Sequence, residues 1–212
     1  SRADWSPTAF PWLSVRECFI GYAPATVMAV SFSGELAYEI HVPNASLFAA
    51  YTALREAGEP HGLRLFGGHA VDSMRLEKGF LHWKADILTE FDPFETGLSR
   101  FVQMEKPDFV GKAALADRLT KGHEKQLVTL ELDDDRSPAH GGASVMAGDR
   151  VVGTVTSGGY GHRVKKNLAY AFVDTSVSEV GSAQQIDVLG RLVPATVCKS
   201  GLYDESFALL RG

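Results

Sequence analysis

At 212 residues, with 45% hydrophobic and 22% charged residues, the chain has the composition of a soluble globular protein and the length of one large domain or two small ones. That excludes a disordered tail, a coiled coil and a collagen-like rod. Its 21 basic and 26 acidic residues (net charge −5) provide no field for displacing counterions from nucleic acid, and no apolar stretch approaches the roughly 20 residues of a membrane span.

The first 25 residues carry Trp5, Pro7, Phe10, Pro11 and Trp12 without a period and read as an irregular segment packed on a neighbouring surface. From Thr26 to Val42 the pattern alternates. Met28, Val30 and Phe32 precede a break at Ser33-Gly34, and Leu36, Tyr38, Ile40 and Val42 follow it. A β-hairpin is expected, with Glu39 on the face opposite the aliphatic row. Asn44 suits an N-cap for a helix through Leu47, Phe48, Tyr51 and Leu54, ended by Gly58. A second helix is expected over Gly68 to Lys78, stopped by Gly79, then a strand over Gly97 to Glu105 and a short helix over Ala113 to Leu119.

After a polar connector near residue 120 the chain is all strand and turn. Six short runs are expected as strands: Leu127–Leu132, Ser144–Met146, Arg150–Thr156, Leu168–Val173, Gln185–Val188 and Leu192–Val197. Their even spacing suggests a small antiparallel barrel or sandwich. The fold class is therefore α+β followed by an antiparallel β-barrel, with domains at 1–120 and 121–212.

Generic catalytic constellations are missing. The seven histidines form no helical i,i+4 pair and have no Cys partner, so no metal site is expected. No nucleophile elbow occurs. Gly159-Tyr160-Gly161-His162-Arg163 begins like a dinucleotide fingerprint, but Val164 stands at the third glycine and the context is a hairpin. Cys18 and Cys198 read as free thiols, and the acidic run Asp133-Asp134-Asp135 as a solvated turn. The chain begins Ser1-Arg2-Ala3, without a signal-like segment, and reads as an excised piece of something longer.

Two features remain. Ser33 to Ile40 carries Glu35 and Glu39. They are either a turn acid and a solvated strand face, or a carboxylate that grips a planar ligand edge offering two adjacent N–H donors. Thr154 to Arg163, followed by Lys165-Lys166, is either a glycine-rich hairpin tip with solubilising cations or a mobile loop over a site. In the second case Tyr160 stacks and basic groups meet an anion.

Gly34–Glu39, Val71–Gly79, Asp92–Leu98, Asp108–Leu115 and Gly153–Gly158 together resemble the glycine-cleavage aminomethyltransferase (T-protein) family. His82–Asp86 and Leu202–Asp204 look like the folate-binding region of dimethylglycine and sarcosine dehydrogenases and oxidases. The resemblance implies the remainder of a ferredoxin-like folate-binding domain followed by a small β-barrel. It also implies transfer of a one-carbon unit at the formaldehyde level to tetrahydrofolate, with FAD only where an upstream flavin domain exists.

By the same resemblance Glu39 is the pterin-gripping carboxylate, Phe32 and Tyr160 supply aromatic contacts, and Arg163 lies on a barrel loop near the site. No catalytic residue is assigned here, because the family's aspartate belongs to an upstream segment. Val71 stands where the family has a folate-contacting arginine, Ala37 where it has glycine, and Phe32 lacks the usual tyrosine hydroxyl. Arg75 and Glu77 read as structural, and the Asp92 motif as a bracing turn. Implied partners are the folate, a one-carbon donor and the upstream part of the same enzyme, with no nucleic acid and no membrane. The implied compartment is the cytoplasm, or the mitochondrial matrix in a eukaryote. A folate-binding module without catalysis is the alternative, and a sulfonium-dependent methyltransferase on the same scaffold has no motif behind it.

Overall fold

In strand β1, Val15–Ile20, and strand β2, Ala23–Met28, successive side chains alternate between two faces, and the strands pair antiparallel across a turn at Gly21, φ 61°. This computed structural model describes residues 4–134 and 137–211. Residues 1–3 and Asp135 of the acidic run lie outside them. The first 25 residues therefore hold a strand where an irregular segment was expected. The period is blurred because β1 has apolar side chains on both faces, with Val15 and Phe19 outward and Cys18 and Ile20 inward.

Strand β3, Glu39–His41, adds to β2 in the register Thr26↔His41 and Met28↔Glu39. The second arm of the expected hairpin is thus three residues long. Gly34 at φ 83° turns the connection between β2 and β3, and the Tyr38 hydroxyl donates to the Trp5 carbonyl (3.1 Å) while its ring stacks on Phe10. Phe10, Ile20, Ala23, Ala25, Val27, Ala29 and Ala50 form the core beneath this sheet.

Helix α1, Leu47–Gly58, follows a 3-10 turn at Asn44–Ser46. Ser46, not Asn44, occupies its cap position, and neither makes a side-chain cap bond. Ala50 is its one buried residue, and Leu47, Phe48, Tyr51 and Leu54 are exposed. Helix α2, Gly68–Lys78, has the expected bounds, and its last turn, Arg75 to Lys78, is buried. Residues 203–211 fasten that turn. The Tyr203 amide donates to the Glu77 carbonyl (3.0 Å) and Lys78 Nζ to Asp204 Oδ2 (2.8 Å), with the ammonium 4.1 Å from the Phe207 ring centroid.

Those elements form one compact unit, residues 1–78 with 203–212, and residues 79–202 form the other. Residues 79–124 pack on the barrel. Phe91 stacks on Phe172 (centroids 3.6 Å apart), and the Leu127 amide donates to the Glu95 carbonyl (2.8 Å). The strand expected over 97–105 is absent, replaced by a 3-10 turn at Ser99–Phe101 and bends. Helix α3 runs Lys112–Lys121.

Six strands then close a barrel in the order β4-β7-β6-β5-β8-β9. They are β4 Lys125–Leu132, β5 Ser144–Ala147, β6 Arg150–Gly161, β7 Lys166–Asp174, β8 Ala183–Val188 and β9 Arg191–Cys198. All the pairings are antiparallel, and β9 returns to β4 (Leu132↔Ala195), so no edge is left open. Alternate residues such as Leu130, Val145, Val155, Ala171, Ile186 and Val197 fill the interior with small or branched side chains. The α+β-then-barrel class is what the chain adopts.

Candidate functional site

The alternation of β1, β2 and β3 puts Val15, Met28 and Glu39 in one cross-strand row, with Glu17, Thr26 and His41 in the next. Glu39 therefore faces away from the core, as the alternation predicts, and its carboxylate is 55% exposed. Among the described residues its polar contact is His41 Nε2, 3.3 Å from Oε2, which leaves acceptor capacity on both oxygens. An open carboxylate beside flat apolar strand surface (Met28, Val15) suits the edge of a planar heterocycle with adjacent N–H donors.

Phe32 is half-buried in the β2–β3 connection. Glu35 accepts the Tyr203 hydroxyl at Oε1 (2.7 Å), so the turn before Glu39 is tied to residues 203–211. Met28, His41 and Tyr203 are the neighbours that sequence reasoning missed. The first two could be found once the β2–β3 register is known, whereas Tyr203 lies 168 positions from Glu35 and carries no local signal.

In the second unit Tyr160 lies on a strand and Arg163 in the hairpin turn that follows it. Residues 157–161 are the second half of β6, paired to β7 (Gly158↔Ala169, Tyr160↔Asn167), and the turn begins only at His162. Glycine makes this possible, since a Cβ on Gly158 would lie 2.2 Å from the Ala139 carbonyl oxygen. Tyr160 is half-buried, edge-on to His162 (5.1 Å), and Arg163 is half-buried in the turn. The structure thus groups Glu39 with Phe32 in one unit and Tyr160 with Arg163 in the other.

Arg75 and Glu77 are buried in the last turn of α2. The Asp92 motif is a brace. Asp92 Oδ1 accepts the Phe94 and Glu95 amides, and Glu95 Oε2 accepts the Asp92 amide. Burial pushes the Asp92 carboxyl up, but the Glu95 amide, the Arg118 guanidinium and the Phe94 amide outweigh it and hold it below the usual range. Potential ligand atoms of Asp92, Glu95 and His123 lie within 4.8 Å of one another. The cation among them is Arg118, 3.0 Å from each carboxylate.

Residues 1–106 match the family description "GCVT N-terminal domain", and residues 125–204 match "Glycine cleavage T-protein C-terminal barrel domain". The chain belongs to the glycine-cleavage T-protein family. Among its T-protein relatives, an aminomethyltransferase of Saccharopolyspora erythraea is 37% identical over 90% of this chain and 54% of its own length. Human mitochondrial dimethylglycine dehydrogenase is 35% identical over 94% of this chain and 23% of its own. The solved aminomethyltransferase T of Bartonella henselae superposes with a TM-score of 0.78 at 25% identity, covering 85% of this chain and 50% of that one. The chain thus spans between a quarter and a half of these relatives' lengths. No helix among the described residues is long and apolar enough to cross a membrane.

Proposed function

We propose that this chain is the folate-binding part of an enzyme that transfers a one-carbon unit at the formaldehyde level to tetrahydrofolate. That enzyme is a dimethylglycine- or sarcosine-dehydrogenase-like protein or an aminomethyltransferase. The observation that carries the reading is Glu39: a family motif delivers its carboxylate onto the open face of the β1–β2–β3 sheet, with acceptor capacity free. The donor set fits, because a pterin presents a ring N–H and an exocyclic amine side by side, and two carboxylate oxygens match that pair. Tetrahydrofolate supplies the nucleophilic nitrogens that take up the one-carbon unit.

This chain's residues bind and orient. Glu39 fixes the pterin edge, Phe32 supplies apolar surface, and the Glu35–Tyr203 bond holds the turn between them. In the second unit the same reading assigns Tyr160 to stacking and Arg163 to a negative charge on the ligand. Positioning of a reactive unit is the main demand of such chemistry, which suits surfaces with few acid–base pairs. No flavin-binding residue is assigned here.

Titration of tetrahydrofolate into Glu39→Ala, followed by calorimetry, is expected to show affinity at least tenfold weaker than in the parent chain. Glu39→Gln, which keeps one acceptor oxygen, should fall between them. Unchanged affinity in a variant with a native circular dichroism spectrum rejects the assignment.

A further inference from the structure

A cavity of about 420 Å³ lies within the second unit, between residues 84–91 and the outer face of strands β6 and β7. It falls in the range of about 300–1,000 Å³ usual for small-molecule sites. Its apolar surface comes from Leu88 and the stacked rings of Phe91 and Phe172, and its two cationic side chains are Lys84 and Lys125.

The wall bearing Lys84 is rigidly built. Asp86, fully buried, accepts the Thr156 and Ser157 hydroxyls at Oδ1 (2.5 Å each) and the His82 amide at Oδ2 (2.8 Å). Thr156 itself is the extra residue where the β6–β7 register shifts between Val155 and Ser157, the kind of bulge that re-aims side chains beside binding sites. Two residues from this anchor, Lys84 holds a left-handed backbone, φ 67°, a conformation L-residues disfavour and one that recurs at functional positions.

The charges are unbalanced. Lys125 Nζ (2.6 Å) and Arg150 (2.8 Å) share the single carboxylate of Asp174, while the exposed Lys84 ammonium has no polar partner among the described residues. Two lysines and no carboxylate are among the cavity's lining residues, in a chain of net charge −5.

We propose that this cavity binds a small carboxylate with an aromatic or branched apolar body. The carboxylate meets Lys84 and Lys125, and the body lies against Leu88 and the Phe91–Phe172 pair. A fully hydrated dianion such as phosphate fits poorly, since the apolar wall offers nothing in exchange for its water. This goes beyond the folate reading and uses none of its residues.

The test is titration of the chain with 2-naphthoate and with uncharged 2-naphthamide, followed by calorimetry and by the methyl NMR signals of Leu88. Naphthoate is expected to bind saturably, at least fivefold tighter than naphthamide, and to shift those signals. Lys84→Gln should abolish the preference while leaving naphthamide and tetrahydrofolate affinities unchanged. Lys84→Gly, which relaxes the backbone, should do the same, so a folding defect in one variant is exposed by the other. Equal binding of the two probes, no saturable naphthoate binding, shifts confined to other methyls, or a lysine variant that keeps the preference would each overturn the proposal. A parallel loss of tetrahydrofolate affinity in both lysine variants would overturn it as a separate site.

Discussion

Gly34 has φ 83°, and a Cβ built there would lie 2.9 Å from both Cγ and Cδ of Lys78. Lys78 cannot yield easily, because its side chain is 1% exposed and its ammonium is held by Asp204 and by the Phe207 ring. Gly34→Ala therefore combines left-handed strain with overpacking and is expected to cost about 2–4 kcal/mol, read from urea unfolding. It should also weaken tetrahydrofolate binding, because the same turn delivers Glu39. The residue scale is where the sequence is most legible for the site. Period-2 alternation alone puts Glu39 on the open face. It could not show that His41 stands 3.3 Å from it, or that Tyr203 holds Glu35, since the second contact crosses 168 positions.

Helix α2 and residues 203–211 are joined through Lys78 and Asp204, and this contact is sensitive to acid. The Lys78 side chain, with help from the Ala208 and Leu209 amides, holds the Asp204 carboxyl below its usual range. A carboxyl depressed in the folded state contributes stability above its unfolded value, near pH 4, and loses that contribution as pH falls through the lower folded value. Below about pH 4, Asp204→Asn is expected to flatten part of the stability profile, while at pH 7 it is less stable than the parent. An unchanged slope in acid-titrated unfolding would count against this. Elements were legible in proportion to their regularity. The bounds of α2 and the presence of the six barrel strands came from 3.6- and 2-residue periods, whereas β1 was hidden by apolar residues on both faces. The expected strand over 97–105 is a run of turns instead, with Phe101 69% exposed and no strand pairing to it among the described residues.

The two compact units differ in how they treat strand edges. The barrel closes on itself, β9 to β4, whereas β1 and β3 are the outer strands of an open three-stranded sheet. Residues 79–202, expressed alone, are expected to unfold cooperatively and give dispersed amide spectra, because the barrel core, the Asp86 anchor and the Asp92–Arg118 brace all lie within them. A molten spectrum would show that the barrel needs the rest of the chain. Burial also raises the Cys198 thiol, on the closing strand, to about 11, which keeps it inert at neutral pH. By itself the sequence determined the family, the α+β-then-barrel order, the outward face of Glu39 and the acidic charge balance. These follow from local period, motif and charge, which need no partner in space. Tertiary structure alone decided that the Ser157–Gly161 run is a strand and that Lys84 faces a cavity with Lys125. It likewise decided that residues 79–124 belong with the barrel. Each of these depends on contacts between residues far apart in the chain, such as Gly158 with Ala139 and Asp86 with Thr156, and no local pattern encodes such contacts.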